Sequence, residues 1–155
     1  MRTAYRVLAY LVAAEVVIQA AAIAFAMFGL SAWIEGGGVL DKASMESESS
    51  YFDGVLGFMV HGINGEIVLP LLALALLVVS FFTAMAGAVK WAGIVLGLLV
   101  LQVLLGVFGH GLPALGLLHG LNALLLFGAA VIAARLSVGA VTAPKVGVSE
   151  RADVG

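Results

Sequence analysis

The sequence predicts an all-α protein, a transmembrane up-down four-helix bundle built from a duplicated helix hairpin. Three observations carry that expectation. Hydrophobic residues make up 63% of the 155 and charged residues 10%, against roughly 45–50% and about 25% in soluble domains. Four apolar runs are each long enough to cross the ~30 Å hydrocarbon core of a bilayer, which takes about 20 helical residues. A short polar motif also occurs twice, once in each half of the chain.

The first run extends from Ala4 to Leu30. Arg2 and Arg6 followed by an apolar stretch resemble a signal peptide, and Ala24-Phe25-Ala26 mimics a cleavage site. The stretch is longer than the roughly 7–15 residues of a signal h-region, and Glu15 and Gln19 inside it mark a helix that belongs to the bundle. A loop from Ser31 to Asp53 follows. It is acidic, with Glu35, Asp41, Glu46, Glu48 and Asp53, has glycines at 36–38, and offers a short surface helix over Val39–Ser47. The second run spans Gly54 to Phe82, and Pro70 within it should kink the helix. Lys90 to Gly109 forms the third run and Pro113 to Ala134 the fourth, with Pro113 suited to a first helical turn. The four helices thus form one domain over residues 1–137, and 138–155 is a small, polar tail of the kind expected to be disordered.

Sidedness follows from Lys and Arg in the flanks. Arg2, Arg6, Lys90, Arg135, Lys145 and Arg151 lie at one end of the bundle and Lys42 alone at the other. Both termini are therefore expected on the cytoplasmic side of a cell membrane and the 31–53 loop outside. Trp33 and Trp91 suit the two aromatic belts. The net charge of −2 points to no nucleic-acid partner. With no cysteine in the chain, disulfides, thiolate metal sites, iron–sulfur clusters and covalent haem attachment are excluded.

The repeated motif lies in the helices. His61-Gly62-Ile63-Asn64 on the second is matched by His119-Gly120-Leu121-Asn122 on the fourth. The preceding helix of each half carries a glutamine, in Val17-Ile18-Gln19 and in Val100-Leu101-Gln102. At 1.5 Å per residue, His119 lies roughly 9 Å from the external helix ends, His61 and Gln102 roughly 12 Å and Gln19 roughly 16 Å. They form a polar layer in the outer half of the membrane. His and Asn three apart share a helix face, so Asn64 and Asn122 extend the layer one turn deeper.

Polar groups in hydrocarbon need partners and usually face the bundle interior. Two uses of such a core stand side by side. Neutral imidazoles are axial ligands for haem iron, and two of them make an electron-transfer haem. Helices two and four are diagonal in an up-down bundle, some 11–14 Å apart when neighbours pack at about 8–10 Å, which suits two imidazoles reaching one iron. Gly62 and Gly120 would clear room for a flat macrocycle, Gly57, Gly106 and Gly116 would widen the slot, and the amides would orient the ring N–H groups. The other use is structural: histidines, glutamines and asparagines bonding to one another as glue between helices. A quinone or a metal ion is a third possibility. A three-histidine zinc site is disfavoured, because His110 lies at the mouth of helix three and no carboxylate joins His61 and His119 at their depth.

Phe58-Met59-Val60-His61-Gly62-Ile63-Asn64-Gly65 with Pro70, Leu101-Gln102-Val103-Leu104-Leu105-Gly106, and Leu118-His119-Gly120-Leu121-Asn122-Ala123 resemble helices two, three and four of a haem A synthase half-domain. The resemblance covers about Tyr51 to Val131. It implies a four-helix haem-binding bundle with His61 and His119 as axial ligands, here of haem b. It does not carry over the enzyme activity. The family has eight helices, a glutamate where this chain has Phe58, and in some members a cysteine pair. Haem propionates favour Arg or Lys, and beyond Lys42 only His110, Trp33 or backbone N–H groups could take that role. The chain also resembles a family of small four-helix membrane proteins that brings no function with it. The partners these readings imply are the lipid bilayer and a respiratory or haem-pathway membrane protein. No nucleophile–base pair, phosphate loop or metalloprotease motif points to an enzyme. Glu15 and Glu66 lie near mid-membrane and suit either a proton path or neutral acids bonded to Gln or Asn.

Overall fold

The structure, a computed structural model, describes residues 1–46 and 52–139. Its elements are α1 (Arg2–Glu35), α2 (Lys42–Glu46), α3 (Val55–Ile63), a π-helical turn (Asn64–Val68), α4 (Leu69–Ser80), α5 (Ala88–Gly109) and α6 (Ala114–Gly139). Four spans are long and apolar enough to cross a membrane: α1, the continuous stretch Val55–Ser80, α5, and Ala114–Leu136 of α6. They pack as a bundle, the architecture of a multi-pass integral membrane protein.

Most boundaries fall within two residues of those expected; the surface helix starts three residues later than expected, and the two larger differences, at the ends of α1 and α6, have a common cause. α1 continues through Ser31-Ala32-Trp33-Ile34, which contains no helix breaker, and stops at the glycines. There the Gly36 N–H bonds to the Ala32 carbonyl at 3.0 Å and Gly37 takes a φ of 95°, a conformation that glycine adopts without strain. Its 34 residues make a rod of about 51 Å, well beyond the ~30 Å hydrocarbon core. α6 likewise runs to Gly139, through the first two positions of the expected tail. Residues 140–155 lie outside the described residues, as does Ser47 at the end of the expected surface helix.

That surface helix is the single turn α2. Asp41 caps it: its Oδ1 accepts the Ser44 N–H at 2.7 Å, and Ser44 Oγ accepts the Asp41 N–H at 2.8 Å, a reciprocal capping box. These bonds hold the Asp41 carboxyl below its usual range, the Ser44 backbone N–H contributing most.

Pro70 produces a π-turn in the second span. Proline has no N–H and its ring crowds the carbonyl of residue i−4, here Glu66. The preceding segment widens by one residue instead of breaking, and the Leu69 N–H reaches the Asn64 carbonyl five residues back. Such turns concentrate at functional sites, and this one begins three residues after His61.

Packing order follows the chain. α1 lies against α3, α4 and α6, and α5 against α4 and α6. The second and fourth spans therefore face each other across the diagonal. The buried apolar cluster occupies one half of the bundle: Tyr5 to Val16 of α1, Leu69 to Leu76 of α4, Ala88 to Leu99 of α5 and Leu126 to Ala134 of α6. Alanines dominate it, which lets helix backbones approach closely without help from water exclusion. Toward the 36–54 loop the helices are more open, with Phe108, Leu112 and Leu117 exposed.

The ends differ in how they are fastened. Between α4 and α5 the chain turns through a tied corner. Ser80 Oγ donates to the Leu77 carbonyl (2.6 Å), Thr83 Oγ1 to the Ser80 carbonyl (3.0 Å), and the Met85 N–H to Thr83 Oγ1 (3.3 Å). Beside it the buried Tyr5 hydroxyl donates to the Ala88 carbonyl at 3.0 Å, joining α1 to α5. At the opposite end α1 and α3 cross almost in backbone contact. A Cβ on Gly29 would lie 2.7 Å from Gly54 Cα, and one on Gly57 would collide with the Ala22 carbonyl. Small residues are required there, whatever the membrane around them.

Candidate functional site

Just beyond the apolar half, the polar residues of the four spans come together. His61 on α3 lies against α1, its Nδ1 3.2 Å from the Gln19 backbone carbonyl. His119 on α6 lies against α5, its Nδ1 3.0 Å from the Gln102 backbone carbonyl. The same relation thus holds in both halves, histidine ring to the carbonyl of the matching glutamine. The two rings approach across the diagonal with centroids 6.1 Å apart and planes tilted by 59°.

The carboxamides are used differently. Gln102 Oε1 accepts from Asn122 Nδ2 at 2.7 Å, and Asn122 Nδ2 also donates to the Leu98 carbonyl at 2.9 Å. Asn122 is buried and its Oδ1 has no partner among the described residues, an acceptor that is costly to leave unmet. Gln19, also buried, serves the π-turn. Hydrogen bonding assigns its amide orientation. Its nitrogen donates to the His61 carbonyl (2.9 Å) and to His61 Nδ1 (2.7 Å), and its oxygen accepts the Gly65 N–H (2.9 Å). A His61 carbonyl and Gly65 N–H are bonding partners in a regular α-helix; here the Gln19 amide bonds to both, and the His61 carbonyl also accepts the Asn64 N–H.

One turn deeper, Asn64 Nδ2 donates to Glu15 Oε2 at 3.2 Å. Glu15 and Gln19 are four residues apart and share a face of α1, so that face presents a carboxyl group and an amide to the π-turn. Glu66 does not join them: its side chain is exposed on the outside of the bundle. His110 is exposed as well, with Nδ1 3.2 Å from the Val107 carbonyl of its own turn. Among the described residues no group of three or more His, Asp or Glu comes together.

The glycines divide into two kinds. A Cβ on Gly62, Gly116 or Gly120 would meet nothing within 4 Å, so space is open beside each histidine. Gly57 is taken up by the α1–α3 crossing and does not widen the site. Gly106 is the seat of the His119 ring, since a Cβ there would lie 3.3 Å from Cε1 and 3.4 Å from Nδ1. The sequence contained the signal for this role. Gly106 is four residues past Gln102, on the same face of α5.

Chemically, an imidazole whose Nδ1–H is held by a carbonyl presents the Nε2 lone pair to whatever lies opposite, the usual arrangement of a metal-bound histidine. The His119 ring, beside the Gln102 carbonyl alone, has that arrangement, whereas His61 Nδ1 also meets the Gln19 amide nitrogen. The chain matches no protein-family model, no curated protein and no solved structure.

Proposed function

We propose that this integral membrane protein binds one b-type haem between His61 and His119, for electron transfer or haem handling. The spacing of the two rings carries the reading. Two imidazoles on opposite sides of one metal, each with a bond of about 2.0–2.1 Å and a ring centre about 1.1 Å behind the nitrogen, sit roughly 6.2–6.4 Å apart. Rings hydrogen-bonded directly to one another at about 2.9 Å would sit near 5 Å. The separation of 6.1 Å lies close to the first distance and well beyond the second.

The remaining residues fit this use. Gln19 and Gln102 orient the rings, and Gly106 sets the position of His119. Gly62 and Gly120 leave the helix surfaces beside the ligands bare, where a macrocycle face would lie. Asn122 Oδ1 is an unmet acceptor three residues from one ligand. Once bound, the iron supplies one-electron redox chemistry. Glu15, bonded to Asn64, is the acid placed to serve a proton path toward this layer, and Glu66 faces away from it. The excess of Lys and Arg at the tied end supports both termini on the cytoplasmic side. A respiratory or haem-pathway membrane protein is the partner class this reading implies.

A second reading, a cofactor-free polar core, draws support from the bonds that the amides already make. Asn122–Gln102 and Asn64–Glu15 join neighbouring helices directly, and such bonds stabilise membrane bundles by about 0.6 kcal/mol each.

Hemin titration of the purified protein in mild detergent separates the two. Haem binding gives a Soret band that shifts on reduction and is lost in His61→Ala with His119→Ala. A protein that stays colourless with added hemin overturns the proposal, and the same variants would then lower thermal stability alone. The lack of cysteine makes sidedness testable by a single introduced thiol. Glu35→Cys should react with an impermeant maleimide in intact cells and Thr3→Cys should not; the reverse pattern refutes the orientation.

A further inference from the structure

His61 Nδ1 faces two groups that make opposite demands on it. The Gln19 backbone carbonyl, at 3.2 Å, can only accept a hydrogen bond, so it calls for a proton on Nδ1. The Gln19 side-chain nitrogen, at 2.7 Å, can only donate, so it calls for a lone pair there. A neutral imidazole carries one proton and satisfies one of them. The side-chain contact is the shorter by half an ångström. The same amide orientation also makes two backbone bonds, to the His61 carbonyl and the Gly65 N–H. Turning the amide over would set oxygen against carbonyl oxygen and N–H against N–H. Nδ1 of His61 therefore accepts, and its ring proton sits on Nε2, the nitrogen that faces away from α1.

His119 is in the other state. Its Nδ1 contact is with the Gln102 carbonyl, and the Gln102 side-chain oxygen is committed to Asn122. Nδ1 of His119 donates, and its Nε2 lone pair is open. Two histidines that the sequence makes look equivalent are thus opposite tautomers. Only one of them is ready to bind a metal, because ligation through Nε2 requires that nitrogen unprotonated.

We propose that Gln19 is a positioning residue that holds His61 in the Nε2–H tautomer until its carboxamide turns, so that His119 is the first iron ligand and His61 the second. The consequence rests on the haem reading, but the tautomer assignment does not. On ligation the ring proton moves from Nε2 to Nδ1, where it is donated to the Gln19 backbone carbonyl, as at His119. The amide nitrogen would then face a donor and have to leave, which removes its bond to the His61 carbonyl and that of its oxygen to the Gly65 N–H, while the carbonyl keeps the Asn64 N–H. Closing of the second ligand bond is thereby tied to the backbone of the π-turn.

The test begins on haem-free protein carrying nitrogen-15 histidine, in detergent near pH 8, above the ordinary histidine value of about 6.5. NMR reads directly which ring nitrogen holds the proton. The expected result is Nε2–H at His61 and Nδ1–H at His119, with Gln19→Met converting His61 to Nδ1–H. The same tautomer at both histidines in the wild type overturns the proposal, and so does an unchanged His61 in the variant. Should Gln19→Met fail to fold, the wild-type spectrum alone decides. Stopped-flow mixing with hemin then reads the order. A five-coordinate haem should precede the six-coordinate form, persist in His61→Ala, fail to form in His119→Ala, and be shorter-lived in Gln19→Met. Loss of the five-coordinate species in His61→Ala but not in His119→Ala refutes the order. No hemin uptake by any form removes the haem reading and leaves the tautomer result standing.

Discussion

The near-contact of α1 and α3 makes a sharp prediction about glycine in membrane helices. Gly57→Ala adds one methyl group. In an isolated helix this substitution is favourable, alanine exceeding glycine by about 0.8–1.0 kcal/mol. In the bundle that methyl group would lie 3.0 Å from the backbone nitrogen and Cβ of Ala26, where ordinary contacts begin at 3.4 Å, and closer still to the Ala22 carbonyl. Backbone cannot rotate aside as a side chain can, so the helices must part by at least 0.4 Å. Overpacking of this kind costs about 1–3 kcal/mol. Gly97→Ala is the matched control, because a Cβ there meets nothing within 4 Å. Equilibrium unfolding in mixed detergent micelles, followed by far-ultraviolet circular dichroism, measures both. Gly57→Ala should be destabilised by about 1–3 kcal/mol, while Gly97→Ala should be neutral or stabilised by up to about 1 kcal/mol. Equal midpoints for the two variants would refute the close crossing. The crossing also lies one turn from Gln19 and His61, so the parting should lengthen their contacts and weaken hemin binding in Gly57→Ala but not in Gly97→Ala.

Three further outcomes are expected. Gly106→Val should displace the His119 ring from its seat and weaken hemin binding roughly 2- to 12-fold, the effect of an off-rotamer side chain at roughly 0.5–1.5 kcal/mol; Gly97→Val should not. Tyr5→Phe removes the bond to the Ala88 carbonyl and should lower stability by about 0.5–1.5 kcal/mol in the same unfolding assay. The Asp41 cap should be lost with acid. A carboxyl held lower in the folded loop than in the unfolded chain contributes above the unfolded value and loses that contribution as pH falls through the folded one. Protection of the Ser44 amide against hydrogen exchange should therefore decline with a midpoint below the ordinary Asp value of 3.8, and Asp41→Asn should flatten the response.

Long apolar runs fix the spans because a bilayer tolerates few alternatives, and the paired His–Gly–x–Asn motifs located the polar layer for the same reason. Helix ends were less legible at 31–35 and 135–139, where no breaker follows the apolar run. The response to Pro70 was legible as a disturbance but not in kind. A kink and a π-turn both answer a missing N–H, and the Gln19 amide that bonds to this turn comes from another helix. The likeness of the two halves also concealed the contrast between Gln19 and Gln102. That contrast arises from the π-turn in one half and the regular α6 in the other, which is a tertiary matter.

The tied corner at residues 80–87 has a mechanical consequence for the polar layer. It acts as a pivot with both hairpins as levers. His61 is 19 residues from Ser80, about 28 Å along the helix. A rotation of about two degrees at the corner therefore moves the ring by about 1 Å, the scale on which a metal–nitrogen bond forms or fails. The placement of His61 therefore depends on the hydrogen bonds of Ser80, Thr83 and Tyr5 at the far end as well as on the groups that touch the ring.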